Sequence, residues 1–180
     1  MKKYAVLAAI LISGALIFQG CTKPEEPDQF VYTVNEYPLY QGFIHNYGMP
    51  EDGTGYNFDV TLFSSGVSYN RDRHEFQGQG HVVFFQMYSS SATELSAGTY
   101  QFNSEGGKAP FTFDVANFGM HMDFSMETGT IVNAVSGVIK VSGPVAERSF
   151  DFECMTSTGE EITGHFSGWA PVYDMRGPGK

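Results

Sequence analysis

Cysteine, positive charge and tryptophan are all scarce in this chain: 180 residues hold two cysteines, ten lysines and arginines together, and one tryptophan. One cysteine, Cys21, closes a hydrophobic leader, which leaves Cys154 alone in the body of the chain. A single thiol closes no internal disulfide, so packing must hold the fold together. The setting Phe150-Asp151-Phe152-Glu153-Cys154 puts that sulfur on the apolar side of an alternating strand. No adjacent histidine or basic residue would lower its pKa, and a buried, inert thiol is expected. Twenty acidic residues against ten basic ones give a net charge of −10. Nucleic acid and anionic lipid headgroups both require basic surface, so this balance argues against either as a partner.

Other absences narrow the reading further. The longest apolar run, Tyr4 to Phe18 with Ser13 and Gly14 inside it, falls short of the roughly 20 residues that a membrane-spanning helix needs. Beyond the leader no window carries a helical 3.6-residue period; Ser91 to Ser96 is expected to form at most one short helical turn. The histidines His45, His74, His81, His121 and His165 show no paired ligand spacing, and no Asp-x-Asp-x-Asp-Gly run organises oxygens for calcium. No metal centre or cofactor is therefore expected. A Gly-x-Ser-x-Gly elbow is missing too. Asp151 and Glu153 share the polar face of one strand, where a solvated surface explains them more simply than a pair of glycosidase acids. The chain reads as non-catalytic.

What is present begins at the N-terminus. Lys2 and Lys3 precede the apolar run, the arrangement of a secretory signal over residues 1–20. The stretch Leu16-Ile17-Phe18-Gln19-Gly20-Cys21 resembles a bacterial lipoprotein box. That resemblance implies cleavage ahead of Cys21 and lipidation of its sulfur, with several acyl chains making a durable membrane anchor. Gly20 and Cys21 match the pattern, whereas Phe18 and Gln19 depart from its aliphatic and small residues. Loss of the leader removes two lysines and no acid, leaving eight basic and twenty acidic residues, a net charge of −12.

Residues 21–29 then read as an acidic tether. Thr22-Lys23-Pro24-Glu25-Glu26-Pro27-Asp28-Gln29 carries two prolines and three acids, which bury no apolar surface. Fully stretched it spans on the order of 25 Å. Acidic residues just behind a lipidated cysteine also resemble the export signal of Bacteroidetes surface lipoproteins. The expected location is the cell envelope, at the outer membrane, facing the periplasm or the exterior.

Residues 30–180 are one domain's worth of chain. Tyr56, Phe58, Val60 and Leu62 alternate with polar residues, and Phe118, Met120, Met122, Phe124 and Met126 do so again. Val82 to Met87 is apolar on both faces, which suits a covered central strand. Strands are also predicted at Phe30–Asn35, Leu39–His45, Val67–Asn70, Thr99–Asn103, Phe111–Ala116, Ile131–Val135, Val138–Ser142, Ser149–Met155 and Ile162–Trp169. Glycine-containing turns separate them. The pattern predicts an all-β fold, an antiparallel β-sandwich of about ten short strands, with a calyx-like barrel as the alternative.

Two residue sets could bind a ligand. Trp169, Tyr173, Tyr47 and Tyr69 fall near strand ends, where exposed rings stack on sugars while their polar tips meet hydroxyls. The stripe Phe118, Met120, Met122, Phe124 and Met126 could line an apolar pocket, although one inner face of a core explains it more simply. The segments Leu95–Tyr100, Val135–Val141, Phe150–Cys154 and Ile162–Phe166 resemble the small β-rich lipoproteins of gut and oral Bacteroidetes. That resemblance implies an envelope β-sandwich and brings no active site with it. The expectation is a binding module for glycan or peptide; a barrel for an apolar small molecule and a subunit of a surface assembly are the alternatives.

Overall fold

The computed structural model describes residues 26–177 except 146. The leader 1–20, Cys21 and the tether as far as residue 25 lie outside the described residues. Everything described is strand, turn or loop, with no helix.

Among the described residues there are twelve strands. Two hairpin arms, β1 (Gln29–Tyr32) and β2 (Asn35–Pro38), come first, followed by β3 (Gln41–Gly48), β4 (Tyr56–Phe63) and β5 (Val67–Asn70). The long β6 (Glu75–Ser89) precedes β7 (Gly98–Phe102), β8 (Thr112–Asp123) and the equally long β9 (Thr128–Ser142). The chain ends through β10 (Ser149–Thr156), β11 (Glu161–Phe166) and β12 (Val172–Asp174). Hydrogen bonding joins eleven of them in the order β12-β3-β4-β6-β8-β7-β9-β10-β11-β1-β2, with β5 paired to β6. Most pairings are antiparallel, but β12 runs parallel to β3 and β7 parallel to β8. The expected antiparallel arrangement is thus corrected to one mixed sheet.

The sheet curls so that its two halves bury a common face. Phe85 of β6 meets Phe152 of β10 at 5.2 Å between ring centroids, Phe118 of β8 meets Phe152 at 5.8 Å, and Phe30 of β1 meets Phe118 at 5.6 Å. All four rings are buried with Ile44, Phe58, Val60, Leu62, Ile139, Phe150 and Ile162 in one cluster. Each fully buried Phe or Leu contributes roughly 1.5–3 kcal/mol, so this aromatic filling is what closes the curl. At Gly164 of β11 a Cβ would press into the Phe152 ring and stand 2.8 Å from the Gln29 carbonyl oxygen. Glycine there lets β1, β10 and β11 close on one another. Cys154 belongs to the same core, a free thiol that burial pushes up to about 12.

Several expectations change in detail. Phe30–Asn35, read as one strand, is a hairpin: Thr33 adopts a φ of 58° in the turn between β1 and β2. Ile131–Val135 and Val138–Ser142 are one strand, β9, whose first part pairs with β8 and whose second part pairs with β7 and β10. Ser91 to Ser96 makes no helical turn, because Ser89 Oγ organises the loop instead. It accepts from the amides of Ser91 (3.2 Å) and Ser96 (2.9 Å) and donates to the Glu94 carbonyl (2.8 Å). At the N-terminal edge, Asp28 accepts from the Ser167 amide at 2.7 Å and Gln29 already lies in β1, so the last tether residues are held by the sheet.

Candidate functional site

Phe118, Met120, Met122, Phe124 and Met126 do not share a face. His121 takes a φ of 51°, and the register of β8 slips between Met120 and Asp123. A left-handed residue in a strand breaks the two-residue alternation that the sequence displays. Phe118 and Met120 stay in the main core. Met122 packs over Gly119 and Gly129. Phe124 joins a second cluster against Phe76, at 5.2 Å, and Met126 is 70% exposed in the turn before β9. The stripe is divided among four surroundings and lines no common pocket.

The predicted aromatic residues fare differently. On the outward face of β3 stand Phe43, His45 and Tyr47, in alternate positions. Gly78 and Gly80 sit within β6 where it stops pairing with β5 and begins pairing with β4. This bend folds the β5–β6 hairpin over that face, and a Cβ on Gly78 would collide with the Gly66 carbonyl oxygen. Tyr69 consequently lies 4.4 Å from Phe43 and 5.9 Å from His45, ring to ring. From the far end of the chain, β12 sets Tyr173 beside His45, its register partner, at 6.0 Å. Tyr47 approaches the same imidazole at 6.0 Å, with its hydroxyl 3.5 Å from His45 Nδ1. Three of the four expected residues thus converge on His45, which sequence reasoning left unassigned.

The fourth, Trp169, forms a parallel bridge with Gln41, four residues along β3 from His45. That offset is on the order of 13 Å at the rise of a strand. Its side chain is 64% exposed and Tyr47 is 46% exposed, so these two offer the open rings. Arg71, at the hairpin tip, places its guanidinium 3.9 Å from the centre of the Tyr173 ring and covers that face. Tyr69 and Tyr173 are half-buried.

Charge around His45 is tuned by burial. Desolvation lowers its pKa, and His74 and Arg71 lower it further, so the imidazole is neutral at pH 7. Asp59, its cross-strand partner on β4, is pushed up to about 6, chiefly by burial; a hydrogen bond from Asn57 opposes the shift and the Asp114 charge adds to it. Burial and then Asp59 raise the Tyr47 hydroxyl. Among the described residues no donor reaches Asn57 Oδ1, Asp59 Oδ1 or Asp114 Oδ1.

A concavity lies on the outward face of the other half of the sheet. Register aligns Gln29, His165, Asp151, Lys140 and Thr99 in one row across β1, β11, β10, β9 and β7. The next row is Val31, Thr163, Glu153, Val138 and Gln101. Side chains from these rows, with Glu26 and Pro27 at one end, line an open trough of about 640 Å³. His165 Nδ1 is 2.6 Å from Asp151 Oδ1. His165 and Asp151 each read in the sequence as residues on a polar strand face, but their pairing depends on a register that is not local to either segment.

The family models, the curated proteins and the solved structures compared with this chain contain no match to it.

Proposed function

We propose that this chain is a lipid-anchored envelope protein of the Bacteroidetes surface type, which captures glycans without catalysis through the aromatic face around His45. The observation that carries the reading is the convergence of Tyr47, Tyr69 and Tyr173, from three strands, around the buried imidazole of His45. Trp169 extends that face along the same strand. Tyrosine and tryptophan combine a flat apolar ring with a polar tip, the combination that a sugar's apolar face and hydroxyls require. A strongly acidic chain favours a neutral or cationic ligand, and neutral polysaccharide or peptide meets that condition. We read the curled sheet as a filled, sandwich-like body in preference to an open calyx, with support from the Phe85, Phe118 and Phe152 contacts in its interior. The same filling, together with the divided methionine stripe, leaves the apolar-ligand reading with less support.

A glycan array followed by calorimetry on the purified full chain tests the proposal. Trp169→Ala and Tyr47→Ala should each weaken binding about tenfold, equivalent to about 1.4 kcal/mol. Silence across neutral dietary and host polysaccharides would refute glycan capture. Co-purification of a protein in its place would move the reading to a subunit of a surface assembly. Incorporation of labelled palmitate, abolished by Cys21→Ser, tests the anchor separately.

A further inference from the structure

We propose that Glu26, Asp151 and His165 form a binding site for a divalent transition metal, zinc by preference, at the end of the outward trough. One ligand atom from each residue lies within 4.8 Å of the other two. His165 Nδ1 stands at the centre, 2.6 Å from Asp151 Oδ1 and 3.8 Å from Glu26 Oε2. The site is assembled from β11, β10 and the segment just ahead of β1, which is why no ligand spacing announces it along the chain.

The chemistry of the set selects the ion. Zinc takes imidazole nitrogen and carboxylate oxygen at about 2.0–2.2 Å, and tetrahedral geometry then separates neighbouring ligand atoms by about 3.4 Å. The Asp151 contact must open by about 0.8 Å and the Glu26 contact close by about 0.4 Å to reach that spacing. Asp151 and Glu26 are 42% and 55% exposed, so both carboxylates meet solvent at the site, while the imidazole is more buried, at 19%. A neutral imidazole and two carboxylates around a divalent ion sum to zero net charge. Calcium and magnesium prefer all-oxygen sites, and the imidazole discriminates against them. Three protein ligands leave a fourth position, which faces a trough whose other walls include Thr99, Lys140, Glu153 and Thr163. Water or a small exchangeable ligand completes the sphere there. Binding would also tie Glu26, at the end of the tether, to β10 and β11.

Titration of the full chain with zinc chloride, and with cobalt chloride followed by absorption, tests this site. One equivalent of zinc should bind, and cobalt should develop visible bands of a low-coordinate nitrogen and oxygen site. His165→Gln and Asp151→Asn should each weaken zinc binding at least tenfold. Glu26→Gln, on a residue outside the strands, should weaken it several-fold with the melting temperature unchanged, which separates ligation from folding. His81→Gln should leave it unaltered. No zinc uptake at millimolar metal, or equal uptake by the wild type and the Glu26→Gln and His165→Gln variants, would overturn the assignment.

Discussion

Replacing Asp59 by asparagine should stabilise the fold at neutral pH. Asp59 stands on the outward face of β4 opposite His45, beneath the aromatic cluster, and one of its carboxylate oxygens is buried without a donor. Its pKa rises from 3.8 to about 6 on folding, first because burial disfavours the charged form and then because Asp114 repels it. A carboxyl whose folded pKa is raised binds its proton more tightly in the native state. The native state is therefore unpenalised at pH below about 4, and it loses stability as pH climbs from there through about 6. At about 1.4 kcal/mol per pKa unit the penalty at pH 7 is roughly 3 kcal/mol, and partial exposure of the residue lowers the expected gain to roughly 1–3 kcal/mol. His45 acts with the opposite dependence, because its lowered pKa costs stability as pH falls below 6.5. Urea unfolding of wild type and Asp59→Asn at half-unit steps from pH 4 to pH 8 separates the two. The variant should gain at pH 7, converge on wild type near pH 4, and retain the acid-side loss due to His45. An Asp59→Asn protein that is less stable than wild type at pH 7, or whose difference is flat across the series, would refute the argument.

Three further outcomes follow from the packing. In the Cys21→Ser chain, Cys154 should resist a disulfide reagent until denaturant is added, because burial has pushed its thiol up to about 12; rapid native-state labelling would contradict its placement. Gly164→Ala should cost roughly 1–3 kcal/mol by driving a methyl into the Phe152 ring, measured by urea unfolding, and a neutral result would mean that β10 and β11 pack more loosely than described. Ser89→Ala should cost about 2 kcal/mol by orphaning the Ser96 amide and the Glu94 carbonyl, with faster amide exchange at Ser96 as the local signature.

The sequence by itself determined the all-β character of the described residues. Alternation at Tyr56–Leu62 and glycine-bearing turns are local, and strand periodicity needs only neighbouring residues to be read. The same alternation misled at Phe118–Met126, since one left-handed residue, His121, re-aims everything after it and no propensity marks that spot. Mixed strand direction was equally invisible, because β12 finds its parallel neighbour β3 across most of the chain, and the loop between the consecutive strands β7 and β8 does not announce a parallel pairing.

The candidate sites divide along the same line. Tyr47, Tyr69 and Tyr173 could be named as aromatic residues near strand ends, but only the folded hairpin and the last strand bring them to His45. The trough and its Glu26, Asp151 and His165 cluster exist only once β1, β11 and β10 lie in register. Residue type and period are properties of a segment. Which segments become neighbours is set by the burial of the shared aromatic core, a sum over the whole chain that tertiary structure alone resolves.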